Sequence, residues 1–236
     1  MSSLRTAELA ADPRVARGLR AQLADRRARM EAGDQPLGWK LGFGAPASLE
    51  RLGTTAPLPG YLMRSALAER DGDVAIGAWT NPVLEPEIAV HMAAALPSGS
   101  AEDAARNAVA GLGLAFELAD LDPPPEDPEA ILVRNVYQRG LVLASRVEGA
   151  SPADLRAGVV RGGDGEQVVR DPQGATGDLL ALVRHVADLL GAFGEGLRAG
   201  EVVICGSIVA PMPVAPGDAV EYELEPLGRL FVRLTA

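Results

Sequence analysis

Two glutamates stand inside an apolar stretch of the chain, where charged side chains are costly. Glu85 and Glu87 lie in a run from Val83 to Val90 that alternates like a β-strand. Side chains at positions i and i+2 of a strand point to the same face, so the two carboxylates converge with their backbones about 6–7 Å apart. Two neighbouring anions near a core repel each other and lose hydration. A cation between them would remove both penalties.

A third acid repeats this pattern in another apolar stretch. Glu117 lies within the run from Leu114 to Ala119, and Asp120 follows it. Three carboxylates from two strands would form an all-oxygen site suited to Mg²⁺, Mn²⁺ or Ca²⁺, with positions left open for water or substrate. The alternative that spacing alone leaves open is that these acids face solvent or pair with arginines.

One lysine, Lys40, remains among the 22 basic residues of the chain. A base composition that favours arginine codons explains the arginines but does not explain the one lysine that is kept. An amine can lose its proton near neutral pH when it is desolvated or lies beside another cation, whereas a guanidinium cannot. Lys40 is therefore a candidate for proton transfer.

The two histidines are not expected to extend this site. His91 shares strand parity with Glu87 but lies roughly 13 Å beyond it in an extended strand, too far for direct ligation. His185 falls within a predicted helix and is expected to be structural or exposed. Cys205 is the single cysteine, which excludes an intramolecular disulfide and a cysteine-based zinc site. The sequence also carries no phosphate-binding glycine loop and no serine-nucleophile motif.

Length and composition bound the class of protein. The 236 residues fit one large domain, or one domain with a helical extension, and the apolar fraction of 47% is enough for a sizeable core. The net charge of -10 repels phosphate backbones, so nucleic acid is not an expected partner. There is no apolar run of membrane-spanning or signal-peptide length, so we expect a cytoplasmic protein that does not interact with membranes.

Hydrophobic periodicity predicts an α+β fold in which strands dominate the centre and the end of the chain. Helices are predicted for residues 4–32, around 45–52, 104–110 and 177–193. Strands are predicted for residues 38–43, 83–91, 112–119, 140–147, 201–205, 219–225 and 229–234, with a hairpin turn at 162–165 and loops at 53–60 and 123–128. Arg26, Arg27 and Arg29 are expected on a solvated helix face.

Five segments, in order, resemble the 2-oxopent-4-enoate hydratase and 4-oxalocrotonate decarboxylase family, a branch of the fumarylacetoacetate hydrolase superfamily. Residues 38–42 are similar to its G-[YWF]-K-[IL]-G segment, 85–89 to E-x-E-[IL]-A, and 116–120 to [IL]-E-[IL]-[VA]-D. Residues 52–62 loosely resemble L-G-x(n)-P-x-[FG]-G-x-L, and 200–218 resemble G-[DE]-x-[IV]-[IL]-T-G-S followed by P-V-x-P-G-D. The likeness spans about residues 36–234.

This resemblance implies a site, a fold and an assembly. It implies Mg²⁺ or Mn²⁺ held by Glu85, Glu87 and Glu117, proton transfer by Lys40, and substrate contacts from Asp120, Asn135, Gly206 and Ser207. It further implies a helical segment at residues 1–35, followed at 36–236 by a catalytic domain with the mixed β-sheet and β-roll core of the fumarylacetoacetate hydrolase C-terminal type. A homo-oligomer is expected because the family usually forms one.

The chain departs from the family pattern at several places. Asp120 is followed by Leu121 and Asp122 where many relatives have Ser-Arg, and residues 133–137 keep only Asn135 of a later D-N-A-S segment. An acid often found after the P-x-G-x-L region is missing near Arg64. The catalytic histidine and the N-D-x-S-A-R-D motif of the hydrolase branch are not visible.

The resemblance implies a hydratase of aromatic-compound catabolism that acts on 2-oxo acids such as 2-hydroxypenta-2,4-dienoate. The same metal site would also serve a 4-oxalocrotonate-type decarboxylase or a C–C hydrolase, since all three reactions place negative charge on a chelated 2-oxo acid. A catalytically inactive metal-dependent binding or assembly protein is the alternative from another class.

Overall fold

Two β-sheets hold most of the buried residues in the computed structural model, which describes residues 4–162 and 165–236. The first sheet has the strand order β2-β1-β10-β4-β5-β6, with β11 paired to β4 and β7 paired to β5. Its strands are β1 (Pro36–Gly42), β2 (Leu58–Met63), β4 (Pro82–Met92), β5 (Val109–Asp120), β6 (Gln138–Leu143), β7 (Val147–Glu148), β10 (Val202–Ser207) and β11 (Met212–Pro213). The pair of β1 and β10 is parallel and the others are antiparallel, so the sheet is mixed.

The second sheet has the order β3-β13-β12-β8-β9. Its strands are β3 (Asp73–Ala75), β8 (Gly158–Gly162), β9 (Gly165–Val169), β12 (Ala219–Leu224) and β13 (Gly228–Thr235). The helices are α1 (Thr6–Ala11), α2 (Pro13–Glu31), α3 (Pro46–Leu52), α4 (Glu102–Ala108), α5 (Pro128–Val133), α6 (Pro172–Thr176) and α7 (Leu179–Ala192). Among the described residues, no helix has the length and apolarity needed to cross a membrane.

The first sheet curls until its two edges approach each other. Leu67, just after edge strand β2, forms an isolated parallel bridge with Leu141 on the opposite edge strand β6. The backbone N–H of Ala68 also donates to the Leu141 carbonyl at 2.8 Å. The curled sheet therefore has an inner face enclosed by its own strands and an outer face available to the rest of the chain.

The two faces have separate apolar clusters. The inner cluster is small and consists of Leu37, Leu62, Ala89, Ala115, Leu141, Val202 and Ile204. The outer face contributes to one large core that includes helices α2 and α7 and the second sheet. Phe116 of β5 and Tyr222 of β12 meet in this core, with ring centroids 6.0 Å apart. The two sheets thus pack face to face, and the inner face of the first sheet stays a separate compartment.

The α+β expectation is confirmed, and most predicted elements lie within a few residues of the observed ones. The predicted helix at 4–32 is in fact two helices, because Asp12 caps α2 through the backbone N–H of Arg14 and Pro13 occupies the first turn. The predicted hairpin is formed by β8 and β9, which pair at Gly162 and Gly165. Gly163 and Asp164, the centre of its turn, lie outside the described residues.

Two other expectations were wrong. Residues 58–60 were predicted to be part of a loop, but they begin β2, whose six residues are all buried. Pro59 is compatible with this strand because β2 lies at an edge of the sheet. Arg26 is not on a solvated face: it is 1% exposed, its guanidinium lies 4.8 Å from the centre of the Trp39 ring, and it contacts Glu201 at 3.4 Å.

The division into a helical segment at 1–35 and a catalytic domain at 36–236 stays a prediction. Arg26 attaches α2 to β1 and to the residue before β10, and Leu19 and Leu23 of α2 belong to the large core. The N-terminal helices are therefore packed as part of the same core as the sheets.

The closest approach between β1 and β10 depends on a glycine. Gly38 has φ +154°, and a Cβ atom there would lie 1.9 Å from the carbonyl oxygen of Val202. We expect Gly38→Ala to lower the free energy of unfolding by about 2–4 kcal/mol, because backbone atoms cannot move aside without separating the strands. Chemical denaturation would measure the change. Gly196→Ala is the control, since a Cβ there has no neighbour within 4 Å, and equal stability of the two variants would contradict the prediction.

Candidate metal centre

The three glutamates singled out from the sequence meet on the inner face of the curled sheet. Glu85 of β4 lies directly opposite Glu117 of β5, and Glu87 lies opposite Ala115. Strand parity places all three acids on the same face as Ala89 and Ala115 of the inner cluster. Each acid offers one carboxylate oxygen, and these oxygens lie within 4.8 Å of one another. The three acids therefore converge on one face, and Glu87 and Glu117 do not face solvent.

Burial makes this convergence electrostatically unfavourable. Glu87 is 1% exposed and Glu117 is 0% exposed, while Glu85 is partly accessible. Burial, followed by the charge of Glu117, raises the pKa of Glu85 to about 7. The same two causes, together with the charge of Glu85, raise the pKa of Glu87 well above its ordinary value. Three carboxylates in this compartment therefore need more positive charge than one lysine supplies.

The unpaired oxygens of the cluster fit a divalent cation. Among the described residues, Oε1 of Glu87 and Oε2 of Glu117 are buried and have no hydrogen-bond partner. Buried acceptors without partners are uncommon, since each carries a desolvation cost. Carboxylate oxygens are the donors that Mg²⁺ and Mn²⁺ prefer. A dication at this position would be held by Glu85, Glu87 and Glu117 and would offset the excess negative charge.

Lys40 enters the same cluster from β1. It lies opposite Gly60 of β2 and Ile204 of β10, and it is 2% exposed. Its ammonium forms an ion pair with Glu117 and donates to the Val136 carbonyl at 3.2 Å. Burial alone would lower the pKa of Lys40, but the nearby carboxylates, led by Glu117, outweigh it and raise the pKa. The lysine is therefore held as a buried cation beside the three acids.

Two glycines leave room for the lysine side chain. A Cβ on Gly60 would lie 2.8 Å from Cγ of Lys40, and a Cβ on Gly42 would lie 2.8 Å from the Val136 side chain and 3.7 Å from Nζ of Lys40. A larger side chain at position 60 would displace Lys40, and one at position 42 would displace Val136, whose carbonyl binds the lysine. Gly42 and Gly60 therefore form a notch that we call the lysine notch.

Gly206 and Ser207 lie beside the acids, and the substrate contacts that the family resemblance implies for them stay predictions. The backbone N–H of Gly206 donates to Oε2 of Glu87 at 2.7 Å, and Ser207 lies opposite Glu87 in the sheet. A register shift between Ile204 and Ser207 produces this geometry, with Gly206 at φ +93°. The bulge thus turns one N–H towards the carboxylate, and only glycine adopts that backbone conformation without strain.

Asp120 and Asn135 have partners outside the acid cluster. The Asp120 carboxylate accepts hydrogen bonds from the backbone N–H groups of Asn81 at 2.7 Å and Thr80 at 3.2 Å. The Asn135 side chain binds the backbone of Tyr61. Their predicted substrate contacts stay predictions.

The two histidines lie away from the acids. His91 of β4 lies opposite Gly111 of β5. Burial, followed by the charge of Arg146, lowers the pKa of His91 to about 4. His185 is buried between Oγ1 of Thr6 at 2.8 Å and the carbonyl of Pro57 at 2.9 Å. Its role is to connect α7 to the start of the chain and to the segment before β2.

Sequence reasoning missed the segment that supplies the second acceptor of Lys40. Asn135, Val136 and Tyr137 have φ values of 50°, 52° and 61°, so three successive non-glycine residues are left-handed. This conformation is unfavourable for most residues and especially for a β-branched one such as Val136. The sequence carries no signal for it beyond Asn135, a residue type that tolerates the left-handed region.

Comparison with known proteins places this site in a family. Residues 20–235 match the model of the fumarylacetoacetate (FAA) hydrolase C-terminal family. The chain is 27% identical over 215 residues to 4-oxalocrotonate decarboxylase of Pseudomonas putida, covering 88% of this chain and 81% of the relative. It is 38% identical over 53 residues to 2-hydroxyhexa-2,4-dienoate hydratase of Comamonas testosteroni, covering 22% of this chain and 20% of the relative.

A solved structure supports the same relationship. The structure of 4-oxalocrotonate decarboxylase from Pseudomonas putida G7, complexed with magnesium and adipate, has a TM-score of 0.85 and 25% identity to this chain. The match covers 93% of this chain and 86% of that one. Similarity therefore extends over nearly the whole fold, and the relative's structure contains the type of cation that the acid cluster fits.

Replacement of one buried acid tests the metal site. We expect Glu87→Gln to weaken Mg²⁺ and Mn²⁺ binding at least about tenfold, because it removes an anionic ligand while keeping the side chain's shape. The metal-free variant should be at least as stable as the parent, since one like charge leaves a buried cluster. Titration calorimetry and thermal denaturation with and without metal measure the two effects.

Glu166→Gln, at an exposed position on β9, is the control for this experiment. It should retain the metal affinity of the parent protein. Equal affinity of the parent and Glu87→Gln would contradict the assignment of Glu87 as a ligand.

Proposed function

The chain belongs to the fumarylacetoacetate hydrolase family, and from that premise we propose that it is a metal-dependent lyase acting on a small 2-oxo acid. In this proposal Glu85, Glu87 and Glu117 hold Mg²⁺ or Mn²⁺, and Lys40 transfers the proton. The observation that carries the proposal is the meeting of partnerless carboxylate oxygens and the only lysine at one buried place. A cytoplasmic location and a homo-oligomeric assembly stay predictions.

Decarboxylation is the reaction that the similarities favour. The relative matched over most of the chain is a 4-oxalocrotonate decarboxylase, as is the solved structure with a TM-score of 0.85. Hydration, which the sequence motifs favoured, has support from a match that is more identical but spans only 53 residues. We therefore propose 4-oxalocrotonate or a similar unsaturated 2-oxo diacid as the substrate, with hydration of a 2-hydroxydienoate as the second candidate.

The bound dication would supply electrostatic stabilisation of the negative charge that develops on a 2-oxo acid. The chain's own groups account for the rest. Burial of Glu87, Glu117 and Lys40 excludes bulk water from the reacting end of the substrate. When the bond to the leaving carboxylate breaks, its electron pair passes into the conjugated keto system, and CO₂ departs. The carbon that becomes electron-rich then takes a proton from Nζ of Lys40.

The position of Lys40 suits this role. Its proton-bearing amine is held between Glu117 and the Val136 carbonyl, both of which keep it at the edge of the acid cluster. Glu85 is the one acid of the three that is partly accessible, so the substrate is expected to approach from the Glu85 side. The Gly206 N–H donates to Glu87, and the Ser207 hydroxyl donates to the carbonyl of Pro86, the residue between Glu85 and Glu87.

Removal of the lysine amine tests the proposed reaction. With Mg²⁺ or Mn²⁺ present, we expect the protein to release CO₂ from 4-oxalocrotonate, and we expect Lys40→Met to lower kcat by about 100-fold or more. Metal binding should persist in the variant, because no carboxylate is changed. A CO₂ assay and titration calorimetry give the two measurements.

The control is Arg106→Met, which removes an exposed cation paired with Glu102 and should leave the rate unchanged. An undiminished rate in Lys40→Met would remove Lys40 from the mechanism. Absence of CO₂ together with metal-dependent hydration of 2-hydroxypenta-2,4-dienoate would replace decarboxylation by the second candidate.

A further inference from the structure

The Asn135 side chain connects the turn at residues 135–137 to β2 through two hydrogen bonds. The Asn135 amide accepts from the backbone N–H of Tyr61 at 2.7 Å and donates to the Tyr61 carbonyl at 2.9 Å. These two bonds reproduce the pairing that a neighbouring strand would give to the free edge of β2. An amide side chain offers a donor and an acceptor at this spacing, whereas an ionised carboxylate of the same shape can only accept.

These two hydrogen bonds stabilise a backbone conformation that is unfavourable by itself. Three successive left-handed residues lie in the turn, and the middle one, Val136, is β-branched and buried. Such a conformation persists only where surrounding contacts impose it. The Asn135 amide is a direct contact between the turn and β2, the strand that contributes Gly60 to the lysine notch.

The turn directs one backbone carbonyl, that of Val136, towards Lys40. The Val136 carbonyl accepts a hydrogen bond from Nζ at 3.2 Å, and the Glu117 carboxylate accepts a hydrogen bond from a second N–H of the same ammonium. An ammonium has three N–H groups in tetrahedral arrangement. Two fixed acceptors therefore determine the direction of the third N–H, whereas a single acceptor would leave the group free to rotate about that bond.

We propose that Asn135 is a positioning residue, which acts through the left-handed turn and the Val136 carbonyl to fix the direction in which Lys40 presents its remaining proton. This role differs from direct substrate contact, the role that the family resemblance suggested for Asn135. The relation to turnover rests on the proposed function, but the orientation of the lysine does not.

The single lysine makes the orientation measurable by nuclear magnetic resonance. Protein grown with lysine labelled with carbon-13 at Cε contains one labelled side chain, Lys40. In the parent protein we expect one Cε signal with two separate Hε shifts, because a fixed side chain places its two Hε atoms in different surroundings. In Asn135→Asp, which keeps the acceptor for Tyr61 but loses the donor, we expect the two Hε shifts to merge or the signal to split or broaden.

The kinetic comparison separates positioning from substrate binding. Asn135→Asp should lower kcat by about 10- to 100-fold, because small errors in the placement of a reacting group cost rate. KM and Mg²⁺ affinity should stay within about twofold of the parent values, since the three acids and the Gly206–Ser207 segment are unchanged. A rise in KM with an unchanged Lys40 spectrum would instead assign Asn135 to the substrate and overturn the proposal.

A matched control separates positioning from general stability. The buried Gln22 amide also spans two backbone groups, donating to the carbonyls of Pro59 and Leu132 at 3.0 Å each. Gln22→Met removes both bonds at similar volume and should lower the melting temperature. It should leave the two Hε shifts of Lys40 separate and kcat unchanged. Loss of the separate shifts in this variant would show that any loosening of the region disturbs Lys40, which would also overturn the proposal.

Asn135→Gly covers the case in which Asn135→Asp does not fold. Glycine adopts the left-handed conformation without strain but has no amide, so the spectrum and kcat should change as for Asn135→Asp. If Asn135→Gly keeps two sharp, separate Hε shifts, the proposal fails. If the parent protein turns over neither candidate substrate, the proposed function fails, while the spectra still decide the positioning role.

Discussion

Repulsion among three carboxylates on one buried face is the constraint on which the site depends. Glu85 and Glu117 are opposite each other across β4 and β5, and Glu87 is the next residue on the same face. On a flat sheet, water would screen these charges, but the curled sheet encloses them beside an apolar cluster. The enclosure therefore turns an ordinary run of acids into a place where positive charge is strongly favoured.

The contrast with Arg26 shows that this chain can neutralise a buried charge with its own groups. Arg26 is 1% exposed, and it has Glu201 at 3.4 Å, Glu195 at 3.6 Å and the Trp39 ring beneath it. Glu201 in turn accepts from the Trp39 indole N–H at 3.2 Å. That cluster serves the packing of α2 on β1 and β10. Within residues 4–162 and 165–236, Lys40 is the one cation that forms an ion pair with the acid cluster, which is the difference expected between a structural ion pair and a site that binds a cation.

The acids of the site could be predicted from the sequence, because strand parity forces Glu85 and Glu87 together and an isolated glutamate in an apolar strand needs a partner. The opposition of Glu85 and Glu117 could not, since pairing register depends on turns and contacts remote from both residues. Residues 58–60 were misread as a loop because Pro59 and Gly60 signal a turn locally, whereas burial on an edge strand decides the outcome. Arg26 was misplaced for a similar reason: its partners Glu195 and Glu201 are distant in sequence. The acceptor at Val136 is a backbone carbonyl, which every residue has, so the residue type does not predict its role.

The acids with Lys40 and the turns around them have different roles in the site, which bears on how related chains catalyse different reactions. The three acids and Lys40 provide only charge stabilisation and a proton, and both decarboxylation and hydration need these. What distinguishes the two reactions is whether water reaches the conjugated system and where the proton is delivered. The chain departs from the motifs of many relatives just after Asp120 and around Asn135, and both of these retained residues are bonded to backbone, Asp120 to Thr80 and Asn81 and Asn135 to Tyr61. Changes at such positions alter the turns around the site without altering its charges. The direction of proton delivery can therefore change while the metal ligands stay the same.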